Sequence, residues 1–97
     1  MEKKLVSIPR ATLDIYNYTK DGLNIYEFDA TECSPPEPMV NTIVTLNMLK
    51  NENDRLIVKF FHEPSPLYEK IANSFTHTAQ EIDSGDFLVT FKKIESK

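Results

Sequence analysis

Residues 29–39 read D-A-T-E-C-S-P-P-E-P-M, and the parsing of this stretch decides the fold. It holds the chain's only cysteine, Cys33, together with Pro35, Pro36 and Pro38. Ahead of it, Leu23–Phe28 (L-N-I-Y-E-F) is short and rich in aromatic and β-branched residues, the composition of a strand. Behind it, Met39, Ile43, Leu46 and Leu49 recur at spacings of four, three and three, flanked by Val40 and Val44, which predicts a helix over 36–50. The proline run is therefore a strand-to-helix junction. Pro36 and Pro38 fit the first turn, where the N–H groups they lack would have no intrahelical partner. The polar residues N-E-N-D, 51–54, then close the helix at Asn51 and Asn53.

Upstream, L-D-I-Y-N-Y-T (13–19) and 23–28 flank Lys20-Asp21-Gly22, the pattern of a hairpin, while Leu5–Ala11, with Pro9, reads as an irregular lead-in. Downstream, L-I-V-K-F-F (56–61) is nearly all apolar and reads as a central strand. A second helix follows, with Ser65 as N-cap, Pro66 at the first helical position, Glu69 in the first turn, and Leu67, Ile71 and Phe75 four apart. Two strand-like segments around Ser84-Gly85 close the chain as a hairpin.

The expected class is α+β: a two-layer α/β sandwich in the order β-α-β-α-β-β, with a mixed four-stranded sheet and two helices on one face. The strand–helix–strand unit makes its two strands parallel, and the last hairpin adds antiparallel ones. Residues 1–22 are assigned to an N-terminal extension able to supply an extra strand, and 23–97 to the domain. Alternation places Leu56, Val58, Phe60, Phe87, Val89 and Phe91 in the core. The opposite face then displays Ile57, Phe61 and Leu88, an apolar surface to be covered either by the N-terminal segment or by a second copy in a homodimer.

With 97 residues the chain builds one core, and its sites are expected in surface clefts. A net charge of -4 repels polyphosphate, so nucleic acid is not the expected partner. A lone cysteine makes no internal disulfide, and no apolar run reaches the length of a membrane span. The expected setting is cytoplasmic.

The order β-α-β-α-β-β, with a proline-rich helix start after a strand ending in Asp29, resembles the TusA and SirA family of small sulfur carriers. That family carries a persulfide on the cysteine of a C-P-x-P signature six residues after the aspartate. Here the sixth residue is Pro35, and Cys33 stands two positions earlier. The chain is more similar to the branch in which proline replaces the cysteine, D-x5-P-P-E-P-M followed by H-x-P-x-P-L-Y, matched here by His62–Tyr68. The resemblance covers roughly Ile25 to Phe91. It implies the fold, and an accessory role beside redox, nitrogen-oxide or sulfur-linked metabolism.

Two parallel strands ending on one edge bring Asp29, Cys33, His62, Glu63 and Tyr68 to the place where open α/β sheets carry ligand sites. With Pro35, Pro36, Glu37 and Pro38 these form the expected binding set for a protein partner or small ligand. No residue is assigned a catalytic role, and no cofactor is assigned. The alternative is a sulfur carrier or sulfurtransferase using the displaced Cys33. Against it, Glu32 and Glu37 favour the neutral thiol, and the prolines remove the N–H donors that would solvate a thiolate. A third reading is a small metal- or haem-responsive module with His62 and Cys33 as ligands, although no H-x3-H or C-x2-C pair accompanies them. Structurally, His62 would instead bond loop carbonyls and Tyr68 would pack on Pro64 or the first helix start. His77 reads as an exposed strand residue, and Lys3-Lys4 and Lys92-Lys93 as solvated ends.

Overall fold

The computed structural model describes residues 2–94. Its elements run β1 (Lys4–Val6), β2 (Ile15–Lys20), β3 (Leu23–Asp29), α1 (Glu37–Leu46), β4 (Asp54–Phe60), α2 (Ser65–Ile71), β5 (Phe75–Glu81) and β6 (Phe87–Lys93). One open mixed sheet contains every strand, in the order β1-β2-β3-β4-β6-β5. The class is α+β as expected; the described residues form six strands, the expected four, the possible extra N-terminal strand and one more.

The extra pair comes from the N-terminal segment. β2 and β3 form the predicted hairpin, turning at Asp21 and Gly22, both with positive φ (53° and 80°). That turn geometry matches the twist of the flanking strands and favours Asp-Gly. The supposed irregular lead-in is partly strand, since Lys4–Val6 pairs antiparallel with β2. β3 and β4 are parallel, joined through α1, and β6 lies antiparallel between β4 and β5.

Register partners share a face of the sheet. Phe28 lies opposite Val58, and Val58 opposite Val89; Tyr26, Leu56 and Phe91 form the next row. These side chains meet Leu46 and Leu49 after and within the α1 region, and Leu67 and Ile71 of α2, in one core cluster that also takes in Ile8 and Ile15. The expected inward set of β4 and β6 is buried, with Phe87 half-buried at its margin. Fully burying a Leu or Phe side chain contributes about 1.5–3 kcal/mol, so this cluster dominates the stability.

α1 departs from expectation in two ways. Regular helix ends at Leu46, not Lys50, and tighter turns follow, with Met48 N–H donating to the Thr45 carbonyl and Leu49 N–H to Leu46. Its buried face is also more polar than the apolar stripe implied: Asn41, Thr42 and Thr45 are fully buried, whereas Met39 and Ile43 are half-buried. The hydroxyls of Thr42 and Thr45 satisfy themselves on the carbonyls four residues back, both at 2.8 Å. That lets a threonine present its methyl group to the core without an orphaned polar atom.

Asn41 faces the connection between β1 and β2. Its Oδ1 accepts from the Thr12 and Leu13 N–H groups at 2.8 and 3.1 Å, and its Nδ2 donates to Thr12 Oγ1 and the Glu37 carbonyl at 2.9 and 2.8 Å. Both donors and both acceptor sites of the amide are used. At the other end of the sheet, Asn17 donates to Asn24, Asn24 donates to the Asp54 carboxylate, and that carboxylate accepts from the Lys50 and Asn51 N–H groups. This chain ties three strands to the exit of α1.

Candidate functional site

β3 and β4 end side by side, and the loops leaving them build a cleft of about 460 Å3. One wall is the junction into α1, Ala30, Cys33, Ser34, Pro35, Pro36, Pro38 and Met39; the other is Phe60 to Pro64 with Pro66 and Leu67. Prolines rigidify both walls. On the α1 side Pro36 is the capping residue, Glu37 the first helical one, and the Pro35–Pro36 peptide bond is cis. On the other, Pro64 caps α2, so Ser65 is the first helical residue and makes no side-chain cap bond. The predicted cap was one residue late, because the Pro64 carbonyl already accepts from the Leu67 and Tyr68 N–H groups at 2.9 and 3.4 Å. Glu69 accordingly falls beyond the first turn.

Of the expected set, Cys33, Pro35, Pro36, Pro38, His62 and Glu63 line this cleft. Three residues do not. Asp29 turns to the opposite face of the sheet, where Lys59 is its register partner. Its carboxylate accepts from the Thr31 N–H and hydroxyl at 2.8 and 2.6 Å. Burial pushes its pKa up, but the Thr31 bonds, helped by Lys59, outweigh this and hold it below the ordinary value. Glu37 is drawn to the N-terminal segment, where Thr12 Oγ1 donates to it at 2.6 Å. Tyr68 does not line the cleft, and its ring has another partner than the expected Pro64 or α1 start. Its ring stacks on His77 with centroids 3.5 Å apart and planes 8° from parallel, and its hydroxyl donates to Glu63 at 3.3 Å. Burial and then Glu63 raise its pKa well above the ordinary phenol value.

His62 is exposed and meets Phe61 edge-on at 4.4 Å; among the described residues it makes no bond to a loop carbonyl. Phe61 belongs to the cleft and is 58% exposed. Simple alternation had placed it on the open sheet face. The ladder ends at the Phe60–Phe87 pair, so Phe61 stands past the last paired residue and leaves with the loop. Its position before H-E-P was the available signal.

Cys33 is half-buried, between this cleft and a second groove of about 730 Å3 on the open sheet face. Burial, then Glu37, Asp29 and Glu32, raise its thiol pKa. The neutral thiol is therefore favoured over the thiolate. Along the open face, the Glu27 carboxylate binds Lys3 Nζ and the Tyr18 hydroxyl, each at 2.6 Å, and Lys3 lies 5.0 Å from the Tyr18 ring centre. Burial and then Glu27 push the Tyr18 pKa up to about 12. Ile57 and Leu88 lie in the same groove, half-buried.

Among the described residues, no group of three or more His, Cys, Asp or Glu is placed to hold a metal ion, and no helix is long and apolar enough to cross a membrane. Comparison with known proteins finds no family model, curated protein or solved structure that matches the chain. The fold and the geometry of the cleft therefore carry the functional argument.

Proposed function

We propose that the chain is a non-catalytic binding domain whose proline-walled cleft takes an apolar segment of a protein partner. The observation that carries this reading is the cleft itself. It is rigid, lined mainly by prolines, Met39, Phe60, Phe61 and Leu67, and bordered by His62 and Glu63 as polar groups able to orient an occupant. A half-buried thiol held neutral among three carboxylates suits a wall better than a nucleophile.

The resemblance to the cysteine-lacking branch of the TusA and SirA family supports the same role, as an accessory factor in redox or sulfur-linked metabolism. The succession β3-α1-β4-α2-β5-β6 agrees with that family's order, and the prolines of P-P-E-P and residues His62, Glu63, Pro64, Pro66 and Leu67 of the second landmark line the cleft from opposite walls.

Two experiments test this reading. With the wild-type chain as bait, Phe61→Ser and His62→Ala should each lose the captured partner while keeping the wild-type circular dichroism spectrum; capture by all three alike contradicts the assignment. Incubation with a cysteine desulfurase and cysteine should leave the intact mass unchanged. A sulfur adduct absent from Cys33→Ser would establish the carrier reading instead.

A further inference from the structure

The sheet has two edges, and they differ. β1 spans three residues, begins at Lys4 beside Lys3, and is followed by Pro9. Short length, lysines and proline are the features that keep an edge from recruiting another strand. β5 is seven residues long, paired without a bulge to β6 alone among the described residues, and exposed from Thr76 to Glu81. Phe75–Glu81 (F-T-H-T-A-Q-E) contains no lysine and no proline.

The direction of its backbone groups follows from the ends of the hairpin. Ile94 N–H donates to the Ser74 carbonyl at 2.8 Å, and Ile82 N–H to the Asp86 carbonyl at 2.9 Å. Bonded and non-bonded pairs alternate along an antiparallel ladder, so Thr76, Thr78 and Gln80 bond to β6. Phe75, His77, Ala79 and Glu81 turn their N–H and C=O groups outward.

We propose that this edge pairs antiparallel with β5 of a second copy, about a two-fold axis through Thr78. In that register Phe75 lies opposite Glu81, His77 opposite Ala79 and Thr76 opposite Gln80, so outward-facing residues meet outward-facing residues along the whole strand. The strand's one carboxylate falls opposite a phenylalanine and not its own copy, and Thr78 meets Thr78, a favourable cross-strand pair. The contact is self-complementary, as a two-fold interface must be.

Sedimentation equilibrium of the full chain from micromolar to millimolar concentration tests this. A concentration-dependent dimer is expected. Ala79→Pro removes an outward N–H and leaves the β5–β6 bonds in place; Thr78→Lys sets two ammonium groups against each other at the axis. Each should weaken the dimer by at least about tenfold, the equivalent of one or two lost hydrogen bonds. If Ala79→Pro does not fold, Thr78→Lys decides alone. A monomer at every concentration overturns the proposal, as does a dimer that the folded variants leave unchanged, which would place the interface on the open sheet face or elsewhere.

Discussion

Cys33 is the residue most easily misread. Its place in D-A-T-E-C-S-P-P invites a reactive role, yet burial and its acidic neighbours all disfavour the thiolate. The thiol should therefore alkylate with iodoacetamide at pH 7 more slowly than free cysteine. Glu37→Gln removes the charge with the largest effect on the thiol and should accelerate the reaction, by a factor read from the rate at which the carboxamidomethyl product accumulates in intact-mass spectra; an unchanged rate would show that burial alone sets the thiol's state. The suppressive effect of Glu32 and Glu37 was legible in the sequence. The contribution of Asp29 was not, because it depends on the chain folding back over the end of β3.

Asn41 shows the opposite case, a residue with no conspicuous sequence signal. It sits beside the apolar stripe of α1 and looks like a solvated position, but its side chain is fully buried and holds Thr12, Leu13 and Glu37. Asn41→Ala leaves several of those groups without partners. It should cost about 2–4 kcal/mol in urea unfolding, at about 1–3 kcal/mol for each buried group left unsatisfied and partly offset by relaxation. A loss below 0.5 kcal/mol, as an order of magnitude typical of surface substitutions, would contradict the clamp.

At the scale of elements, the junction between α1 and β4 turns on Asp54. Burial raises its pKa, but the Lys50 and Asn51 N–H groups and the Asn24 amide outweigh that and hold it below the ordinary carboxylate value. Its folded pKa lies below the unfolded one, so its contribution to stability is present above about pH 4–5 and is lost as pH falls through the folded value. Asp54→Asn should be less stable at pH 7 by about 1.5–3 kcal/mol, the usual worth of bonds to a charged acceptor. Its unfolding free energy should converge on that of the wild type in acid. Parallel stability curves from pH 7 to pH 2 would contradict this account.

The elements themselves were mostly legible. The β2–β3 hairpin follows from strand-like flanks around Asp21-Gly22, and both helices from their apolar spacing. The failures lie where local pattern yields to tertiary contact. Lys4–Val6 is too short to declare itself and is a strand only because β2 offers an edge. The α1 face was misjudged because buried threonines can satisfy their own hydroxyls on the helix backbone.

For the whole molecule, the topology converts two distant sequence landmarks into one cleft. Parallel pairing of β3 and β4 brings their ends together, so the prolines at 35–38 and those at 64 and 66 become opposing walls. The sequence placed Cys33, His62 and Glu63 at that edge, and they line the cleft. It could not show that Asp29 turns to the other face or that Tyr68 is occupied by His77, since both depend on register and packing.

The central claim is that this cleft, and not the thiol or the open sheet, is the binding surface. Amide chemical-shift mapping of the full chain titrated with indole, an apolar aromatic probe, tests it most directly. Shifts should concentrate on Ala30, Cys33, Ser34, Met39, Phe61, His62, Glu63 and Leu67, and should fall away in Phe61→Ser. Shifts gathered instead on Tyr16, Ile57 and Leu88, or none at the cleft, would contradict the account.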